Sequence, residues 1–118
     1  MTLRNVKSID HRFTASQYTA IECVLPLISY QPIVTPQMRK AQIDAMQKIS
    51  RQSVRFQNHE INAIISAVEL SIMCLSGKWP DMLEKVKQDA EWYQEMKLHY
   101  FVLNGLRQEF EQLVREFD

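Results

Sequence analysis

Asn58-His59-Glu60-Ile61-Asn62-Ala63-Ile64-Ile65-Ser66-Ala67-Val68-Glu69-Leu70-Ser71-Ile72-Met73-Cys74-Leu75 decides how this chain folds. Ile61, Ile64, Ile65, Val68, Ile72 and Leu75 recur at three- and four-residue steps, the period of an α-helix, and Ala63, Ala67, Leu70 and Cys74 widen the apolar stripe beside them. A helix apolar over so wide an arc must be covered from more than one direction, so this segment is expected to be the central helix of an all-α protein. It begins at Gln57 or Asn58, and Gly77 ends it.

Upstream, Thr35-Pro36 reads as the N-cap and first residue of another helix, with Met38, Ala41, Ala45 and Ile49 as its buried stripe. The segment from Ser29 to Val34, containing Pro32, is a turn. Before it, Thr14-x-x-Gln17 matches a capping box and opens a helix carrying Tyr18, Ile21, Leu25 and Ile28. Pro26 removes a backbone hydrogen bond, so that helix is expected to kink or end early. Residues 1–12 are polar and aperiodic and are expected to form a flexible arm, leaving 13–118 as a single domain.

Downstream, Pro80 starts a region where Met82/Leu83, Val86, Ala90, Tyr93, Met96, Tyr100, Leu103, Leu106, Phe110, Leu113 and Phe117 keep helical phase. Unbroken, it covers about 37 residues, or roughly 55 Å at helical rise. Asn104-Gly105 is its weak point, since glycine costs about 1 kcal/mol inside a helix. The phase survives the glycine, so one long, bent helix is expected rather than a break there.

These segments make two αα-hairpins, about 14–52 and 57–117, and the economical arrangement is a four-helix bundle. The halves are alike. Arg12-Phe13 returns as Arg55-Phe56, Ala20-Ile21 as Ala63-Ile64, and Pro36-x-Met38 as Pro80-x-Met82, which reads as an internal duplication.

Composition agrees. Two glycines and four prolines in 118 residues are too few for the frequent turns of an all-β chain, and 46% hydrophobic with 24% charged residues is ordinary for a globular domain. The charged N-terminus has no apolar run behind it, so neither a signal peptide nor an anchor is expected, and no stretch reaches the length of a membrane-spanning helix. Cys23 and Cys74 sit in apolar helical runs and are expected to be reduced core residues of a cytoplasmic protein. The net charge of zero hides an asymmetry. Residues 1–58 hold eight Lys/Arg against three acids, a net +5, and residues 59–118 hold six against eleven, a net −5. The halves should attract each other, within one fold or between subunits.

Catalytic chemistry finds little footing. No Glu-x-x-His spacing suggests a dimetal bundle. Glu95 and His99, at i and i+4 with Glu91 a turn earlier, are read as a solvated ion pair rather than metal ligands. Apolar neighbours leave both thiols inert, and two glycines cannot build a phosphate loop or nucleophile elbow. No cofactor, metal or small-molecule substrate is therefore expected, and the chain is read as a non-enzyme.

Two surfaces remain. Arg39, Lys40, Lys48, Arg51 and Arg55 form a basic face interrupted by Asp44, a candidate contact for nucleic acid, although a solvated helix face is the plainer reading. Trp92, Tyr93, Met96, Tyr100, Phe101, Phe110 and Phe117 give the last segment more apolar directions than one buried stripe needs. These are residue types enriched at interface cores. The sequence thus points to a protein-binding accessory, adaptor or inhibitor that associates with itself through its C-terminal helix surface, with a nucleic-acid-associated regulator as the alternative.

Overall fold

The computed structural model describes residues 1–117, of which most are helical. The elements are β1 (Ser8–Asp10), α1 (Ala15–Val24), a 3₁₀ segment (Leu25–Tyr30), α2 (Pro36–Ser50), β2 (Arg55–Gln57), α3 (Asn58–Leu75), α4 (Pro80–Lys87), α5 (Ala90–Leu98) and α6 (Tyr100–Phe117). Capping chemistry sets most of the starts. Thr14 and Gln17 form a complete capping box on α1, Gln57 and Glu60 form one on α3, and the Thr35 hydroxyl accepts from the Met38 amide ahead of Pro36. At the end of α3, Gly77 takes φ +78, and the Lys78 amide folds back 2.9 Å onto the Met73 carbonyl. Only glycine enters that left-handed region without strain.

α3 is the centre of the molecule. Eleven of its eighteen residues are buried, and α1, α2, α4, α6, the 3₁₀ segment and both strands pack around it. Helix α1 gives way to the 3₁₀ segment at Leu25-Pro26, as the proline demands. The junction is held by buried Gln42 of α2, whose Nε2 donates to the Leu25 carbonyl at 3.1 Å. The opposite charges of the two halves meet within this one fold: Lys48 lies 3.4 Å from Glu60.

Two expectations need correction. Residues 1–12 are not a loose arm. Leu3 is fully buried, and its peptide is gripped by α3: its amide donates to Asn62 Oδ1 at 2.8 Å, and its carbonyl accepts from Asn58 and Asn62 at 2.8 and 2.9 Å. Ser8–Asp10 then pairs antiparallel with Arg55–Gln57, with Ile9 opposite Phe56. Three isolated apolar residues, Leu3, Val6 and Ile9, anchor this segment, too few for a period to show in sequence.

The second correction concerns the long C-terminal helix, which is three helices. The first break falls at Gln88-Asp89, where the Asp89 carboxylate accepts from the Trp92 amide at 3.1 Å and caps a new helix. The second falls at His99, where the backbone leaves helical geometry for one residue (φ −90, ψ 1) between the buried side chains of Met96 and Leu103. Asn104-Gly105 is not a break. Gly105 lies on the outside of α6 with nothing near its Cβ position, while Leu103 and Leu106 are fully buried beside it. Burying two leucines outweighs the glycine penalty.

Candidate functional site

The corner between α5 and α6 carries the most exposed apolar side chains of the C-terminal half. Leu98 is 83% exposed and Phe101 88%, with partly exposed Tyr100 between them in sequence. Beside them, Leu75, Tyr93, Lys97 and Tyr100 line an open recess of about 280 Å³, and the Lys97 ammonium stands 4.5 Å from the centre of the Tyr93 ring. The bend at His99 creates this corner.

The seven aromatic and methionine residues expected at an interface do not stay together. Met96 and Phe110 are fully buried in the chain's own core and take no part in any surface. Trp92 is half-buried. Its indole N–H donates to the Cys23 carbonyl at 2.8 Å and its ring packs on Tyr30 at 5.2 Å, so it fastens α5 to α1. Phe117 is partly exposed at the far end of α6, near Ile9, His11 and Leu113. Tyr93, Tyr100 and Phe101 remain at the corner. Leu98 joins them because it lies off the buried stripe, two residues past fully buried Met96 and so on the opposite side of α5.

Acids meet most of the basic face. Lys40 donates to Asp44 at 2.8 Å, Lys48 lies beside Glu60, and Arg55 reaches both oxygens of Asp10 at 2.9 and 3.3 Å. The hydrogen bond from Arg55 holds the Asp10 carboxyl below its ordinary range, and those from Lys40 and then His59 do the same for Asp44. Lys40 and Arg55 are raised in return by the same bonds. Arg39 and Arg51 are exposed without an ion pair among the described residues. Sequence reading saw the cations; it missed Asp10 and Glu60, which only the fold brings to them.

Two clusters of ligating side chains also form. Asp44, His59 and Glu60 converge on the α2–α3 side, and Cys23, Glu95 and His99 converge where α1 meets α5, the ligand atoms of each set lying within 4.8 Å of one another. Glu95 and His99 do not form the expected ion pair with each other, and Glu91 stands outside the group. Both cysteines are buried and unpaired. Burial, then the charge of Glu95, pushes the Cys23 thiol up to about 12, and burial raises Cys74 as well. A further open cavity, about 280 Å³ and walled largely by apolar groups, lies between the 3₁₀ segment, α2 and α3, with Ile28, Met38, Ala41 and Ala63 on its sides and His59 at its edge.

No single helix is long and apolar enough to cross a membrane. No family model matches the sequence, and no curated protein or solved structure is similar to it.

Proposed function

We propose that this protein is a non-catalytic protein-binding module, an accessory or adaptor, that pairs with a second copy of itself through the α5–α6 corner. The single observation that carries this is the exposure of Leu98 and Phe101, three residues apart, beside a recess edged by Leu75, Tyr93 and Tyr100. A two-fold dimer needs one patch that complements itself, and knobs next to a recess meet that need. Burying two such side chains against apolar partners is worth roughly 3–6 kcal/mol before association costs. The acids opposite Lys40, Lys48 and Arg55 weigh against the basic face as a phosphate track.

The reading includes an internal duplication of αα-hairpins. It is supported by Phe13 and Phe56, each of which directly precedes a capping box, and by the proline that starts the second helix of each half.

The test is size-exclusion chromatography with light scattering across a concentration series. Wild type should be dimeric at tens of micromolar, roughly, and Leu98→Ser/Phe101→Ser monomeric with unchanged circular dichroism. A wild-type protein that stays monomeric at about 1 mM removes the self-association reading.

A further inference from the structure

We propose that Cys23, Glu95 and His99 form a binding site for a divalent transition-metal ion of borderline softness, zinc being the type, with a fourth position open to water. The site stands on different residues from the dimer surface, and either can fail alone.

Its geometry follows from how α1 meets α5. Glu95 and His99 are one helical turn apart, so they share a face at the C-terminal end of α5. Cys23 is the penultimate residue of α1. The Trp92 indole, bonded to the Cys23 carbonyl, holds the two elements in register and so keeps the thiol opposite that face. The three ligand atoms lie within 4.8 Å of one another. Tetrahedral zinc with bonds of about 2.0–2.3 Å wants its ligands roughly 3.5 Å apart, so about an ångström of side-chain rotation closes the set.

Chemistry selects the ion. A thiolate sulfur, an imidazole nitrogen and a carboxylate oxygen suit zinc or cobalt and disfavour magnesium and calcium, hard cations that take oxygen ligands. Thiolate and carboxylate together carry two negative charges, which a divalent ion cancels. As the metal–sulfur bond forms, the thiol proton passes to solvent. Without a cation, burial and the Glu95 charge keep the thiol protonated, and a bound ion inverts that preference.

Two further observations point the same way. The side chains of Glu95 and His99 make no hydrogen bond or ion pair with any described residue, so no bond must break for them to ligate. Glu95 also lies on the wall of an open cavity of about 370 Å³ together with Asp89 and Glu91, and no lysine or arginine lines it. A carboxylate-lined cavity that shares Glu95 with the site concentrates cations beside it. The other cluster differs on both counts. Asp44 is tied to Lys40 and His59 at 2.8 Å, and Glu60 is tied to Lys48 and caps α3 through the Gln57 amide at 2.7 Å. Ammonium groups already stand where a cation would go.

The experiment titrates the purified, reduced full chain with Co²⁺ and, separately, Zn²⁺. Co²⁺ should develop a near-ultraviolet thiolate-to-cobalt charge-transfer band at one equivalent, and Zn²⁺ should abolish it by displacement. Cys23→Ser should lose the band, His99→Ala and Glu95→Gln should weaken binding by about tenfold or more, and Cys74→Ser should change nothing. Zinc should also protect Cys23, but not Cys74, from alkylation in wild-type protein, a readout that needs no variant to fold. The proposal is overturned by a wild-type chain that shows neither band nor protection. It is equally overturned if binding survives Cys23→Ser and is lost in Asp44→Asn, which would move the ion to the other cluster.

Discussion

Phe110 and Phe101 sit on the same helix nine positions apart, one fully buried and the other 88% exposed. Phe110 belongs to an aromatic cluster centred on Phe13, whose ring meets Tyr18, Phe56 and Phe110 edge-on at 5.4, 5.7 and 6.1 Å and His11 at 4.7 Å. Three elements, α1, β2 and α6, and the loop after β1 supply those partners. Phe101 belongs to a corner where no described residue supplies it a ring partner. Apolar side chains alone therefore do not make a core; a region becomes core when the topology returns other elements to it, and what is left uncovered is available to a second molecule.

The hardest way to break the comparison is to hollow out its buried side. Phe110→Ala should cost about 3–5 kcal/mol, because the ring is enclosed on all sides and its removal leaves a cavity that edge-on rings cannot easily fill. Chemical denaturation checks this. A cost below about 1 kcal/mol would mean that the cluster is far looser than its ring geometry implies. Leu3→Ala comes next, at about 2–5 kcal/mol, since it empties a fully buried site and loosens the segment that Asn58 and Asn62 hold. Were it neutral, the N-terminal residues would be the loose arm that their sequence suggests.

A smaller effect of opposite sign is expected at the glycine of α6. Gly105→Ala should stabilise by about 1 kcal/mol, because the added methyl meets nothing and alanine loses less backbone entropy in a helix. A destabilising result would show that the chain does turn at Asn104-Gly105 in solution. Thermal melts of the two proteins suffice.

What was legible in sequence was what is local. The capping box at Thr14, the helix start at Gln57 or Asn58, the proline starts at Thr35-Pro36 and Pro80, the stop at Gly77 and the wide stripe of α3 each lie within a few residues and stand in the structure as read. The failures were long-range or competitive. Asp10 meets Arg55 across 45 positions, and Leu3 meets Asn62 across 59, distances over which no periodic signal travels. At Asp89 a cap competes with a continuing stripe and wins; the signal is the aspartate itself, whose carboxylate can accept an amide of the next turn, here that of Trp92. The Cys23, Glu95 and His99 group was half legible, since the i, i+4 pair was visible while its third member arrives from a helix about seventy residues away, a placement that only packing decides.

The finest cut through the comparison is Phe101→Ala, the counterpart of Phe110→Ala on the exposed side. Its effect on the isolated subunit should stay within about 0.5 kcal/mol, because the ring has almost no contacts to lose and alanine has the higher helix propensity. Its effect on the pair should be larger. Whatever binds only the folded state raises stability with concentration, so the melting temperature of a self-associating wild type climbs as protein is added. The two proteins should therefore melt together when dilute and diverge when concentrated, with the variant flat. If Phe101→Ala instead lowers the melting temperature equally at every concentration, the side chain is covered by its own chain and the corner is core. If both proteins are flat and superimposable, the corner is bare and carries no self-association.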